Sequence, residues 1–369
     1  MSSRSEWFEN ARFGMFIHWG LYSLLARGEW VRNRERIPFD EYRKLTGRFR
    51  ASRCDVRSWA ALARGAGMKY MVLTTKHHDG FCLFRTRTTD FNSINTPARR
   101  DFVGEFVRAA RAEGLKVGLY FSMMDWSHPL CLPDRRLYYW DCEELERFGF
   151  TNAMKSDPRF LSYLKTQITE LLTQYGKIDI LWHDGTWAYD ARGWRIEELN
   201  RHARRLQPHI LFTDRAHCKS DIASCEQEIK PKKGAWEACM TLNDHWGYCV
   251  GDNNWKSPYQ VVHTLLTIAE RRGCLLLNIG PRGDGSVPGP SVRILEAVGR
   301  WTHAYPQALY RIDRTPFGWS HIFFSTVSGT NLYLHMKAYP RGEAVFAGLA
   351  SPVKAVELLP GGRRLPFTQ

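Results

Sequence analysis

Short runs rich in β-branched and aromatic residues alternate along the chain with longer stretches whose apolar residues recur every three or four positions. The runs Phe13 to Trp19, Lys69 to Thr74, Lys116 to Phe121, Ile178 to Asp184, Ile210 to Thr213, Glu237 to Thr241 and Cys274 to Ile279 predict strands. Between them, helices are predicted over Val56 to Arg64, Val103 to Glu113, Phe160 to Gln174, Gly193 to Leu206 and Tyr259 to Arg271, with a last one near Ser291 to Thr302. This alternation is the βα signature of a parallel sheet in the α/β class. The length suits one (β/α)8-like TIM barrel, irregular where an eighth strand is short. After Pro306 the texture changes to period-two strands, His321 to Val327 and Asn331 to Met336. The shift divides the chain into a barrel over residues 1–308 and a short or truncated C-terminal β-domain over 309–369. Sixty or so residues are few for an independent sandwich, so this part is expected to pack on the barrel.

Composition narrows the classes. Of 369 residues, 44% are apolar and 24% charged, and the mean hydropathy is −0.41, as in a soluble globular protein. No run reaches the roughly 18 apolar residues of a membrane helix. The start, Met1 to Trp7, lacks the apolar core and small-residue cleavage site of a secretory signal, which gives a cytoplasmic expectation. Nine cysteines without a Cys-x-x-Cys pair or zinc-type spacing read as reduced thiols. The net charge of +14 is spread from Arg32, Arg34 and Arg36 to Arg363 and Arg364 without a basic helix or RNA-binding motif, so it reads as solvated surface rather than a nucleic-acid face.

Candidate chemistry gathers just after the predicted strands, where a barrel collects side chains at one rim. Ile178, Ile180, Trp182 and Asp184 share one face of their strand, and Asp184 stands where it runs out. An aromatic and an acid at such a rim suggest sugar chemistry. His18 lies near the end of the first run, and alone it reads as a hydrogen-bonded core histidine. His77 and His78 invite a metal, but adjacent strand side chains diverge; neutral imidazoles that donate to and accept from hydroxyls fit better. In Glu29-Trp30 a carboxylate can accept from hydroxyls while indole covers an apolar sugar face. Further clusters are Tyr120 to Ser122, Asp125-Trp126, Asp214-Arg215, Glu226, Trp236-Glu237 and Trp246 to Tyr248. The segment Asn278 to Gly285 lacks the order of a dinucleotide or Walker motif and reads as a turn. No G-x-S-x-G elbow or kinase set occurs, so carboxylate chemistry remains.

In order along residues 7 to 303, several motifs together resemble the α-L-fucosidases of glycoside hydrolase family 29: Arg12 to Gly20, Gly28-Glu29-Trp30, Lys76 to Phe81, Gly118 to Ser122, Leu181 to Gly185, Trp236-Glu237 and Leu276 to Pro281. The resemblance implies a catalytic barrel followed by a β-sandwich, and a retaining mechanism without metal or organic cofactor. It places Asp184 as nucleophile, His18, Glu29, Trp30, His77, His78, Tyr120 and Trp182 around a fucosyl unit, and Arg215 in the active site, with Trp236 beside the substrate. Ser224-Cys225-Glu226-Gln227 resembles a segment that reads Thr-Pro-Glu-Gln in the family, which makes Glu226 the acid/base, with Glu237 as its rival. The family's sandwich has more strands than the residues after Leu358 can supply, so a truncated or minimal β-domain is expected. The implied partner is a fucosylated glycan, with no nucleic acid or membrane. Two other classes stay open: a metal-dependent barrel hydrolase using His18, His77, His78 and Asp184, and an inactive sugar-binding protein.

Overall fold

The computed structural model describes residues 4–132, 156–216, 218–318 and 320–369. Eight parallel strands form one sheet: β1 (Phe13–Ile17), β2 (Tyr70–Lys76), β3 (Lys116–Ser122), β4 (Ile180–Asp184), β5 (Leu211–Phe212), β6 (Ala223–Glu226), β7 (Trp236–Thr241) and β8 (Cys274–Ile279). Sequence neighbours pair from β1 to β5 and from β6 to β8, and β1 pairs with β8, so the sheet curls into a barrel. The ring meets itself at a thin seam between β5 and β6, a bridge of Thr213 with Ile222 in which Ile222 N–H donates to Phe212 O at 3.0 Å.

Strand parity sorts the apolar residues into two clusters. Phe16, Tyr70, Val72, Tyr120, Ile180, Trp182, Leu211, Cys239, Cys274 and Leu276 fill the inside of the ring, with Phe8 and Ala11 from the helix Glu6–Ala11 below them. Their alternates, among them Met15, Ile17, Met71, Leu73, Leu119, Phe121, Leu181, Ala238, Leu275 and Leu277, face outward into the layer of helices. The helices begin on explicit caps: Asp55 accepts from Arg57 N, Asp101 from Gly104 N and Asp157 from Arg159 N, and Ser257 with Gln260 forms a capping box ahead of Pro258–Glu270. One helix is shorter than its apolar period suggests. It runs over Ile196–Leu206 rather than from Gly193, because Arg195 holds a left-handed conformation at its N-cap.

The seven strands expected from the hydrophobic runs are present, and the eighth is β6, only four residues long with Cys225 its one buried side chain. Glu226, which lies outside the seven runs that predict strands, is therefore the last residue of a strand. After the barrel, β9 (Phe323–Ser328) and β10 (Asn331–Met336) form one antiparallel pair, and β11 (Val356–Leu358) and β12 (Arg363–Leu365) another. The first pair docks on the barrel: Glu270 Oε1 accepts from Ser325 N at 2.9 Å and from its Oγ at 3.1 Å, and Thr326 Oγ1 donates to Ala308 O at 2.7 Å. Among the described residues, no helix is long and apolar enough to cross a membrane.

Inside the barrel, Tyr70 occupies room that only a glycine leaves. Gly14 lies beside it in register, and a Cβ there would stand 2.4 Å from the Tyr70 ring. Gly14→Ala is expected to cost about 1–3 kcal/mol by overpacking. The readout is a lower urea midpoint, and an unchanged midpoint would show that Tyr70 moves aside freely.

Candidate active site

The C-terminal ends of the strands bring the predicted residues to one rim. His18 follows β1 directly, His77 and His78 follow β2, Tyr120 and Ser122 lie on β3, Trp182 and Asp184 on β4, Arg215 follows β5, and Glu226 ends β6. The acidic centre is a chain of three charges. Arg215 Nη2 donates to Asp184 Oδ1 at 3.2 Å and to Glu226 Oε2 at 2.7 Å. Burial opposes the charge of Arg215, but the two carboxylates outweigh it and raise the pKa above the ordinary value. Tyr120 Oη donates to Asp184 Oδ2 at 2.8 Å, and His78 Nε2 lies 3.7 Å from the same oxygen. Trp246 Nε1 donates to Glu226 Oε1 at 3.1 Å. Asp184 is thus held on both oxygens within a partly buried setting, whereas Glu226 keeps a side chain 37% exposed at the mouth.

Around this centre the histidines are fixed and neutral. His18 Nδ1 lies 2.7 Å from Asn278 Oδ1, and His78 Nδ1 lies 2.7 Å from Ser122 Oγ. Burial pushes His18 down to about 4 and lowers His77 and His78 well below the usual imidazole range, the latter two further depressed by a neighbouring histidine. Among the described residues, His77 Nδ1 is buried without a hydrogen-bond partner, although its ring stacks on Tyr120 at 5.7 Å. A buried polar nitrogen left unpaired beside a carboxylate is suited to a ligand hydroxyl. Glu29 is buried too; its Oε2 accepts from Gly247 N at 2.8 Å, and burial raises its pKa.

Aromatic walls complete the site. Phe16 lies 5.1 Å from Trp182 and 5.8 Å from Trp246. Tyr120 stacks on Trp182 at 5.6 Å. Across the mouth, Trp30 stacks on Trp187 at 5.5 Å and meets Trp126 edge-on at 5.1 Å, while Trp187 also touches the His78 ring at 4.8 Å. Gly185, at φ +69°, permits the chain to turn directly after Asp184; a Cβ there would stand 2.6 Å from Ser122 Oγ and 3.0 Å from His78 Nδ1. One face of acids and neutral donors against another of aromatic rings can hold a sugar by its hydroxyls and its apolar side.

Two expectations need correction or refinement. Trp236 does not join the site: it is the first residue of β7, faces the helix layer, and its Nε1 donates to Arg271 O at 3.2 Å. The reason is parity, since its neighbour Glu237 takes the inward position. Glu237 lies at the same end of β7, fully buried inside the barrel, bonded to Trp182 and Tyr70 and not to Asp184 or Arg215. The sequence pattern notes Ser122, Trp126 and Trp246 as members of rim clusters without giving them a role, and it gives none to Phe16, Trp187 or Asn278. Asn278 was the most legible of these, because it follows the inward Leu276 by two positions on a strand. As for a metal, among the described residues no three His, Cys, Asp or Glu side chains form a ligand cluster.

The family model for alpha-L-fucosidase matches residues 2–307. The chain is 29% identical to human tissue alpha-L-fucosidase over 82% of this chain and 68% of that protein. Its fold superposes on alpha-L-fucosidase isoenzyme 1 from Paenibacillus thiaminolyticus with a TM-score of 0.90 at 40% identity, covering 99% of this chain and 90% of that one. It also superposes, with a TM-score of 0.83 at 28% identity over 98% of this chain and 90% of that one, on a Bacteroides thetaiotaomicron alpha-L-fucosidase trapped as a covalent intermediate with 2-fluoro-fucosyl fluoride.

The neutral histidines give a pH signature. With folded pKa values below the unfolded value of about 6.5, they bind fewer protons folded than unfolded, so stability falls as pH drops below that value. The loss levels off once His18 itself protonates near 4, and for this ring alone it is on the order of 3 kcal/mol. Urea melts across this window should show the slope in the wild type and a shallower one in His18→Gln. Equal slopes would mean that the folded ring titrates as it does in water.

Proposed function

The chain belongs to the alpha-L-fucosidase family, glycoside hydrolase family 29, and on that premise we propose that it is a retaining, exo-acting α-L-fucosidase that releases terminal α-L-fucosyl units from glycans through a covalent fucosyl-enzyme. The observation that carries this reading is the pair of carboxylates on one guanidinium nitrogen. Contacts of 3.2 and 2.7 Å to Arg215 Nη2 bring an oxygen of Asp184 and one of Glu226 within about 6 Å of each other. That suits the short carboxyl separation of retaining enzymes, about 5–5.5 Å, better than the wider gap that leaves room for water in inverting ones.

In this reading Asp184 Oδ1 or Oδ2 attacks the anomeric carbon as the glycosidic bond breaks, and Glu226, carrying a proton when the sugar is bound, gives it to the departing oxygen. Glu226 then takes a proton from water as that water attacks the same carbon and frees Asp184, so two inversions leave net retention. Tyr120 and Arg215 hold the attacking carboxylate and its charge in place. His18, His77, His78 and Glu29 receive the sugar hydroxyls, and the unpaired Nδ1 of His77 gains a partner. Phe16, Trp182 and Trp246 offer an apolar surface to the methyl group of a 6-deoxy sugar, and Trp30 covers the opposite side of the mouth.

The test is hydrolysis of an aryl α-L-fucoside followed by NMR, in which the α anomer of fucose must appear first. Asp184→Ala should lose several orders of magnitude in turnover while remaining folded, and added azide should restore part of it as a β-fucosyl azide. Near wild-type turnover in that variant would remove Asp184 from the role. Glu226→Ala should impair substrates with poor leaving groups far more than activated aryl fucosides, because only the former need the proton. If Glu237→Ala shows that dependence instead, the two glutamates exchange roles.

A further inference from the structure

Beneath the rim lies a buried carboxyl that the proposed mechanism does not use. Glu237 is completely buried, and both of its oxygens are engaged: Trp182 Nε1 donates to Oε1 at 2.6 Å and Tyr70 Oη to Oε2 at 2.9 Å. Among the described residues it has no cationic partner within salt-bridge distance. Burial raises its pKa to about 7, although Trp182 and Tyr70 both pull it down. A carboxyl placed in an apolar interior without a cation costs stability that a leucine or methionine would not. Its return is directional, because a charged or shared-proton acceptor fixes an indole N–H more strongly than packing does.

The fixed indole carries two of the groups that touch Asp184. Tyr120 stacks on Trp182 at an interplanar angle of 22° and reaches Asp184 Oδ2 with its hydroxyl. The Arg215 guanidinium lies over the Trp182 ring, 5.7 Å from its centroid, and reaches Asp184 Oδ1. Phe16 leans on the same ring at 5.1 Å. Tyr70, the other partner of Glu237, fills the room that Gly14 leaves.

We infer that Glu237 is a positioning residue, which orients Trp182 and, through it, the Tyr120 hydroxyl and Arg215 guanidinium that aim the nucleophile. The inference rests on the reading of Asp184 as nucleophile and adds a residue that never meets the sugar. Removing Glu237 should then slow formation of the fucosyl-enzyme whatever the leaving group, whereas removing an acid should slow only reactions that need a proton.

The experiment uses the full-length protein with aryl α-L-fucosides of graded leaving-group ability and with 2-fluoro-fucosyl fluoride as a labelling reagent followed by mass spectrometry. Wild-type protein must gain one 2-fluoro-fucosyl adduct on Asp184, with loss of the anomeric fluoride; its absence there would sink the nucleophile reading itself, an outcome distinct from any change in the Glu237 variants. Glu237→Ala is expected to lose roughly 30- to 100-fold in kcat and in labelling rate, uniformly across leaving groups, with KM changed less than about threefold. Glu237→Gln keeps an acceptor for the indole and should stay within about fivefold of wild type.

The Trp182 Nε1–H resonance should sit at the low field of a short hydrogen bond in wild type and Glu237→Gln, and move upfield in Glu237→Ala. Should the alanine variant not fold, a double-mutant cycle of Glu237→Leu, which removes the acceptor but fills the apolar space, with Trp182→Phe answers the same question: the paired change should cost no more than Trp182→Phe alone. Additive losses, a leaving-group-dependent loss, or a labelling rate in Glu237→Ala equal to wild type would each overturn the inference.

Discussion

Two-residue alternation on parallel strands closed into a ring governs this molecule. Inward positions on successive strands meet across a space a few side chains wide, so a residue placed there must fit its neighbours and satisfy any polar atom it carries. Gly14 makes way for Tyr70, Tyr70 and Trp182 satisfy Glu237, and Trp182 supports Tyr120 and Phe16. The same alternation decides that Asp184 and Asn278 open into the site while His183, one position from Asp184, turns outward and pairs with Asn200. With every strand running the same way, all these chains emerge at one rim, and the opposite end is left to packing.

The electrostatics follow from that enclosure. Three imidazoles are stripped of water and remain uncharged, so the positive charge at the centre is concentrated on Arg215. In the proposed reaction Glu226 holds the proton that it gives up, so one guanidinium faces one carboxylate at the start, and the group of three gains its excess negative charge only as that proton moves to the departing oxygen and the sugar ring becomes positive. Neutral histidines serve this arrangement better than charged ones, since they give and accept hydrogen bonds without opposing the carbocation-like state.

Much of this was legible in the sequence. Seven strands and the helices between them announced themselves by period, and the motifs that contain His18, His77-His78 and Asp184 placed the rim residues in the right order. What escaped did so for identifiable reasons. The strand Ala223–Glu226 has no apolar run because only Cys225 faces a core, so hydrophobic patterning could not see it. Trp236 was misplaced because an aromatic beside a glutamate looks like a sugar clamp, and the parity that separates them shows only once the strand's first residue is known. Trp187 comes from a loop, where no period links an aromatic ring to the space it will line.

The seam between β5 and β6 carries a lesson about how such a catalyst can change. Arg215 follows one side of that seam and Glu226 ends the other, in the part of the ring held by a single bridge, where β6 buries only Cys225. Substitutions, insertions or a shift of register in this stretch disturb few core contacts, whereas comparable changes around Asp184 would disturb Trp182, Tyr120 and Ser122 at once. If Glu226 is the acid of the proposed reaction, the wall that faces the departing part of the glycan is the one that folding constrains least, and changes there would alter which glycans are trimmed while keeping the pocket for the fucosyl unit intact.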